Sequence, residues 1–275
     1  MAGEAIMPQS VKDSVTAEWL QFDGAQFVYD PYPIGVIANA FPAGVYAQLV
    51  DAWPAQDLFQ FKANLGKKYS LSEVNHPEQY HAFLKSSPHW LGFYRYVKSQ
   101  GFVDAVLDFL CQHNIDLGLR GRRVSALNEA SSWDERLRAI PDKLSRLRGG
   151  DSSLSVRFEF SMMPADGGSI KPHTDAPQKL ITIVLSMLRP GEWNPAHGGG
   201  TSMLRPRDVT RSFNYLNKQA SFEDMDVLHT FEFLPNQCLI FVKTFNSWHS
   251  VTPMSGAGSD AMRKTLTINI ESWGR

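Results

Sequence analysis

The sequence predicts an α+β chain with a mainly β core, an antiparallel jelly roll or barrel in its C-terminal half packed by helices from its N-terminal half. Three observations lead there. After Gly149–Gly150, short β-branched or aromatic runs alternate with Pro, Gly and Asn turn signals: "SLSVRFEFSMM", "SIKPHTD", "KLITIVLSM", "GGGTSMLRP", "LHTFEFL", "QCLIFVK", "SWHSVTPM" and "RKTLTINIES". Before that point, apolar residues recur at helical spacing. A chain of 275 residues with 43% hydrophobic and 12% aromatic residues can also bury a sizeable core. The expected organisation is a helical extension over residues 1–150 packing on a β core over 151–275, the two forming one integrated domain.

Taken in order, residues 1–20 are polar and expected to be loosely ordered. A short strand is expected at Ile34–Ile37. The helix after it runs through "FPAGVYAQLVDAW", places Val45, Leu49 and Trp53 on one face and stops at Pro54. Residues 55–85 show no clear period. Helices follow at His89–Ser99 and Phe102–Gln112, the second with Val103, Val106, Leu107 and Leu110 on one side. The arginine-rich runs between Leu119 and Arg148 carry their own acids and lack interleaved aromatics, so they read as solvated surface and not as a nucleic-acid patch. Within the β half, the connection Arg205–Val227 is long and polar, which in a compact β domain is often functional.

Bulk properties exclude several classes. With 27 basic and 28 acidic residues the net charge is −1, so no overall field favours nucleic acid or an anionic membrane. The N-terminus lacks a basic start followed by an apolar stretch, and no window approaches the ~18 apolar residues of a membrane span. Cys111 and Cys238 lie far apart in apolar runs and read as buried free thiols. A cytoplasmic, reducing location is expected.

The chemistry begins at "KPHTD". On an extended segment residues i and i+2 share a face, so His173 and Asp175 aim an imidazole and a carboxylate at one point. His249, in "FNSWHSVTP", is the third ligand candidate. Two histidines and a carboxylate make a facial metal set with open positions, which suits Fe(II) better than a closed structural zinc site. The final strand alternates cleanly, with Arg263, Thr265, Thr267 and Asn269 on one face and Lys264, Leu266, Ile268 and Ile270 on the other. The apolar face can pack under the helices. That sends an arginine into the barrel, where a buried cation needs an anionic partner. "KLITIVLSM" repeats the device with Thr182, Val184 and Ser186. A small dicarboxylate bound to the metal at one end and to the Arg263 fork at the other satisfies both. Glu159 is the competing internal partner for Arg263, and Lys264 falls on the wrong face. Arg157 and Glu159 share a face with Ser155, Ser161 and Met163, and Lys171 shares one with His173. Arg157 and Glu159 read either as substrate contacts or as a pair at the barrel rim, and Lys171 either as a contact to a substrate anion or as a solvated strand-edge lysine.

The ordered set "PHTD", "KLITIVLSM", "GGGT", "LIFVKTFNSWHSVTP" and "RKTLTINIE", spanning Ser152–Trp273, resembles the Fe(II)/2-oxoglutarate-dependent dioxygenase superfamily, in its prolyl-4-hydroxylase-like branch. The resemblance implies a double-stranded β-helix (jelly roll). It makes His173, Asp175 and His249 the iron ligands and catalytic centre, and Arg263 the anchor for the far carboxylate of 2-oxoglutarate, with O2 as co-reactant. It implies hydroxylation of an unactivated C–H of a small molecule or amino-acid-like substrate, with release of succinate and CO2. Two positions where relatives supply tyrosines to 2-oxoglutarate are here Met163 and Ser186, so cosubstrate binding is expected to lean on Ser186, Thr265 and Thr182. Related halogenases carry a small residue where Asp175 stands, so the carboxylate favours hydroxylation. A cupin-like metalloenzyme without 2-oxoglutarate and a peptidyl-prolyl hydroxylase remain as alternatives. Packing accounts for Trp193 and Trp248, and "GGGT" for strands crossing closely.

Overall fold

The N-terminal half is not only helical. It contributes four strands, β1 (Gln26–Val28), β2 (Ile34–Ile37), β3 (Gln60–Lys62) and β4 (Lys68–Ser72), interleaved with α1 (Ala43–Asp51), α2 (Pro77–Ser86), α3 (Pro88–Val97) and α4 (Gln100–Gln112). The eight strands expected in the C-terminal half all form: β5 (Leu154–Pro164), β6 (Ile170–His173), β7 (Lys179–Ser186), β8 (Thr201–Pro206), β9 (Met225–Phe231), β10 (Cys238–Val242), β11 (His249–Val251) and β12 (Met262–Ser272). The computed structural model describes residues 19–125 and 153–272. The polar N-terminal segment, most of the arginine-rich run and Gly149–Gly150 lie outside the described residues.

The strands form two sheets in which every pairing is antiparallel. The larger has the order β1-β2-β10-β7-β12-β5-β4-β3, and the smaller β6-β11-β8-β9. β3 and β4 escaped the sequence pattern because they are three and five residues long, too short to display a period.

One face of the large sheet carries the helices. Leu266, Ile268 and Ile270 of β12, Phe158 and Phe160 of β5, and Ile181 and Ile183 of β7 join Trp90, Phe93, Val103 and Leu107 in one apolar core. α4 buries the face its spacing predicts, Val103, Val106, Leu107 and Leu110, and the Ser99 hydroxyl caps its first turn by accepting from the Phe102 amide. α1 is rotated from expectation, burying Tyr46, Leu49 and Val50. The helix ends at Asp51, so Trp53 belongs to the following turn, where its ring meets Trp90 at 5.9 Å and Phe160 at 5.3 Å. The opposite face of the large sheet looks across a cavity to the small sheet, with Thr182, Ser161 and Arg263 on one side and His173, Thr201 and His249 on the other. No helix among the described residues is long and apolar enough to cross a membrane. Both cysteines are free, Cys238 buried and Cys111 partly exposed.

The long connection between β8 and β9 is pinned to the strand that carries the H-x-D motif. The Thr174 hydroxyl donates to the Asn214 carbonyl at 3.1 Å, the Ala220 amide to Pro172 at 3.0 Å, and the Trp248 indole to Ser212 at 2.9 Å. Tyr46 performs a similar tie between α1 and the large sheet. Its buried hydroxyl donates to the Leu188 carbonyl at 2.6 Å and accepts from the amides of Leu188 at 2.9 Å and Asn236 at 2.8 Å. Tyr46→Phe strands these buried groups and should lower the unfolding free energy by about 1–3 kcal/mol in a urea titration, with the m-value unchanged.

Candidate active site

The small sheet places the two histidines. β6 and β11 pair with His173 directly opposite His249, and the ring centroids lie 4.3 Å apart. Asp175 reaches them by a route the sequence did not predict. β6 ends at His173, and Asp175 sits beyond it at φ +70°. The convergence therefore comes from a left-handed turn and not from an extended i, i+2 pair. Aspartate is among the few non-glycine residues that enter this region readily. The turn brings Oδ1 to 3.6 Å from His173 Nε2 and Oδ2 to 3.9 Å from His249 Nε2, and the three donor atoms all lie within 4.8 Å of one another.

Backbone carbonyls set the tautomers. His173 Nδ1 is 2.9 Å from the Lys171 carbonyl and His249 Nδ1 is 2.9 Å from that of Ser247. A carbonyl only accepts, so each Nδ1 carries a proton and each Nε2 faces Asp175. Hydrogen bonding from the far ring nitrogen is how metal-ligating histidines are usually oriented. Charge agrees with this. Burial opposes ionisation of Asp175, but contacts led by the Lys179 ammonium at 2.6 Å outweigh it and hold its carboxyl well below the ordinary range. Burial, together with His173, pushes His249 down to about 3. The cluster offers two imidazoles and one carboxylate, a donor set that fits Fe(II). The Thr182 hydroxyl donates to Asp175 Oδ2 at 3.0 Å, with Asn269 Oδ1 also at 3.0 Å.

Arg263 lies in the same cavity. It is 3% exposed, donates from Nε to the Gly199 carbonyl at 2.6 Å, and stacks its guanidinium 4.4 Å from the Phe233 ring centre. Among the described residues it has no acidic partner. Glu159 pairs instead with Lys68 at 2.6 Å, and Lys264, on the opposite face, pairs with Glu192. Burial pulls Arg263 down to about 9, which still leaves it a cation at neutral pH. The glycine run makes room for it. Gly199 has φ +85°, and a Cβ there would meet Trp193 at 3.0 Å and the Arg263 Cδ at 3.3 Å.

The cavity holds ≈ 120 Å³ of space for water centres. Of the expected cosubstrate contacts, Thr265 and Thr182 line it and Ser186 does not. The Thr265 and Ser161 hydroxyls are 3.0 Å apart, whereas the Thr182 hydroxyl is engaged by Asp175. Lys68, Lys179, Thr201 and Ser250 also line the cavity and were not picked out from the sequence. Ser250 bears a buried hydroxyl without a partner. No spacing rule marks these four, because strand register and not sequence distance brings them in.

No protein-family model matches the chain, and no curated protein matches it in sequence. Solved structures do. A prolyl-4-hydroxylase of Pseudomonas putida is 15% identical with a TM-score of 0.40, over 86% of this chain and 91% of that one. A prolyl hydroxylase from Trichoplax adhaerens, solved with a peptide fragment of hypoxia inducible factor, is 13% identical with a TM-score of 0.44, over 86% and 83%. A non-heme alpha-ketoglutarate-dependent epimerase from nogalamycin biosynthesis is 12% identical with a TM-score of 0.45, over 86% and 78%. The structural neighbours are prolyl hydroxylases and 2-oxoglutarate–Fe(II) oxygenases.

Two outcomes follow from this geometry. His249 binds a proton in the unfolded chain below its ordinary 6.5 but not in the folded one until about 3. Its contribution is therefore present above pH 6.5 and lost as pH falls from there towards 3, at up to about 1.4 kcal/mol per pH unit. Urea titrations of the metal-free protein should show this slope, and His249→Gln should flatten it. Thr182→Val removes a hydrogen bond that orients Asp175 and should weaken metal binding about 10–100-fold by calorimetry.

Proposed function

We propose that the protein is an Fe(II)- and 2-oxoglutarate-dependent oxygenase built on a double-stranded β-helix, and that it hydroxylates an unactivated C–H of a small or amino-acid-like substrate. One observation carries the reading. A His–Asp–His cluster and a buried arginine with no acidic partner among the described residues share a single cavity. A cupin-like metal site without 2-oxoglutarate gives no reason to bury that cation.

In this reading His173, Asp175 and His249 would hold the iron. Bound iron would supply the activation of O2 coupled to oxidative decarboxylation of 2-oxoglutarate, with CO2 released and one oxygen atom entering succinate and the other the hydroxylated substrate. The chain's own residues position and shield. Arg263 receives the far carboxylate on its fork, with the Thr265 hydroxyl beside it. Gly199 and Phe233 hold the guanidinium in place before the ligand arrives. Thr182 and Lys179 fix the orientation of the Asp175 carboxylate. Phe241, Val184 and Val251 give the cavity apolar walls that exclude water from the reacting centre.

Anaerobic titration of the full chain with Fe(II) and then 2-oxoglutarate should produce the weak visible charge-transfer band of the chelate. His173→Ala should abolish it. Arg263→Gln should keep iron binding while raising the 2-oxoglutarate concentration needed about a hundredfold or more, since it removes a charge-assisted bidentate contact. Iron binding with no band on adding 2-oxoglutarate would sink the cosubstrate assignment.

A further inference from the structure

β11 is three residues long, so the turn before it carries much of the task of aiming His249. Residues 244–248 form that turn. The Ser247 hydroxyl closes it, donating to the Thr244 carbonyl at 2.8 Å and accepting from the Thr244 amide at 3.2 Å. Three separate parts of the chain then hold it. The Leu204 amide of β8 donates to the Trp248 carbonyl at 2.9 Å, and the Trp248 indole donates to Ser212 of the β8–β9 connection. The third part is N-terminal and stands just before β2. There the Tyr32 hydroxyl donates to the same Trp248 carbonyl at 3.0 Å, and the Asn246 side-chain amide donates to the Pro31 carbonyl at 3.0 Å.

Tyr32 also reaches His249 through its ring. Phe241 of β10 meets Tyr32 edge-on at 6.5 Å and His249 at 4.7 Å between ring centres, and it lines the metal cavity. Tyr32, 1% exposed, is sealed with Phe241, Ile34 and Met203 in one apolar cluster. A close-packed ring backed by another has no room to tilt away. The hydroxyl path is as direct. The Trp248 carbonyl belongs to the planar peptide unit whose nitrogen is that of His249, so tilting that plane tilts the backbone from which the imidazole projects. Burial first, and the Asp175 charge second, push the Tyr32 hydroxyl above its ordinary range, which keeps it a donor at neutral pH.

We infer that Tyr32 is a positioning residue for the metal centre, fixing the His249 imidazole through the Trp248 carbonyl and the Phe241 ring. The inference rests on reading His173, Asp175 and His249 as metal ligands and is independent of the cosubstrate. Packing accounts for the ring of Tyr32 but not for the acceptor its hydroxyl uses. A buried phenol needs an acceptor, and this one takes the carbonyl beside the ligand although the Leu204 amide already satisfies it. Partners of this kind orient metal-binding histidines, and losing one costs about 10–100-fold in metal affinity. The N-terminal half thereby holds in place a ligand that it does not itself contribute.

The test is calorimetric binding of Mn(II) alone to the full chain and its variants. Tyr32→Phe keeps the ring and removes the hydroxyl, and should weaken Mn(II) binding about tenfold. Tyr32→Leu loses both paths and should cost about a hundredfold. Where the leucine variant does not fold, the phenylalanine variant, which preserves the packing, decides alone. Tyr46→Phe is the control for a merely structural effect, since it also removes a buried hydroxyl that ties an N-terminal element to the sheet but lies away from the cluster. It should leave Mn(II) binding within about twofold of the unaltered chain, however much it lowers stability. Tyr32→Phe binding Mn(II) as tightly as the unaltered chain would overturn the inference and leave the metal reading intact. Equal weakening in Tyr46→Phe would overturn it too, by showing that affinity follows stability alone. An unaltered chain that binds no Mn(II) would overturn the inference and the metal reading together.

Discussion

β12 is buried on both faces, and the two faces have opposite requirements. It pairs with β5 and β7 along its length, so it cannot rotate to expose either side. Leu266, Ile268 and Ile270 are sealed under the helices, and that same alternation forces Arg263, Thr265, Thr267 and Asn269 into the interior. Register is therefore held by the apolar side while chemistry is presented on the polar side. A slip of one residue would bury Lys264 in the cavity and Arg263 in the core, so the fold and the site share one constraint.

The polar face is tolerable because its demands are met one by one. Thr265 meets Ser161, Asn269 meets Thr182, and Thr182 meets Asp175. Arg263 is left to a carbonyl and an aromatic face, and Glu271 to a long ion pair with Arg157. A carbonyl and a ring stabilise a guanidinium without neutralising it, so the cavity keeps a positive potential at one end. At the other end Lys179 shares the Asp175 carboxylate with the cluster. An ammonium on a ligand carboxylate draws charge from it, which makes the carboxylate a weaker donor to any metal it holds. In this way Lys179 tunes the centre from outside the triad.

Some of this was legible in the sequence and some was not. Clean alternation in "RKTLTINIE" exposed both the core face and the inward arginine, because a period of two survives translation from sequence to strand without knowledge of neighbours. The pairing of H-x-D with a distant histidine was legible for a chemical reason, since few structural roles need those three groups together. The means by which Asp175 converges was not. A left-handed turn and an extended strand both bring nearby residues together, and only the backbone angle distinguishes them. β3 and β4 were invisible for want of length, and with them Lys68. The ion pairs from Lys68 to Glu159 and from Arg157 to Glu271 depend on register across β4, β5 and β12, which no reading of one segment at a time can supply.

The N-terminal strands then have a role beyond widening the sheet. β4 pairs Ser70 with Ser161 and Ser72 with Glu159, which carries Lys68 to the cavity wall and places an ammonium on Glu159. The strand order β12-β5-β4 thus determines how these charges pair within the protein, Glu159 taking both Lys68 and Arg157, and Glu271 taking Arg157. The three residues of the metal cluster come from the C-terminal half alone, whereas these ion pairs need β4 as well. The His–Asp–His geometry is set by the pairing of β6 with β11 and the turn at Asp175, and the ion pairs beside it by how the N-terminal half completes the sheet.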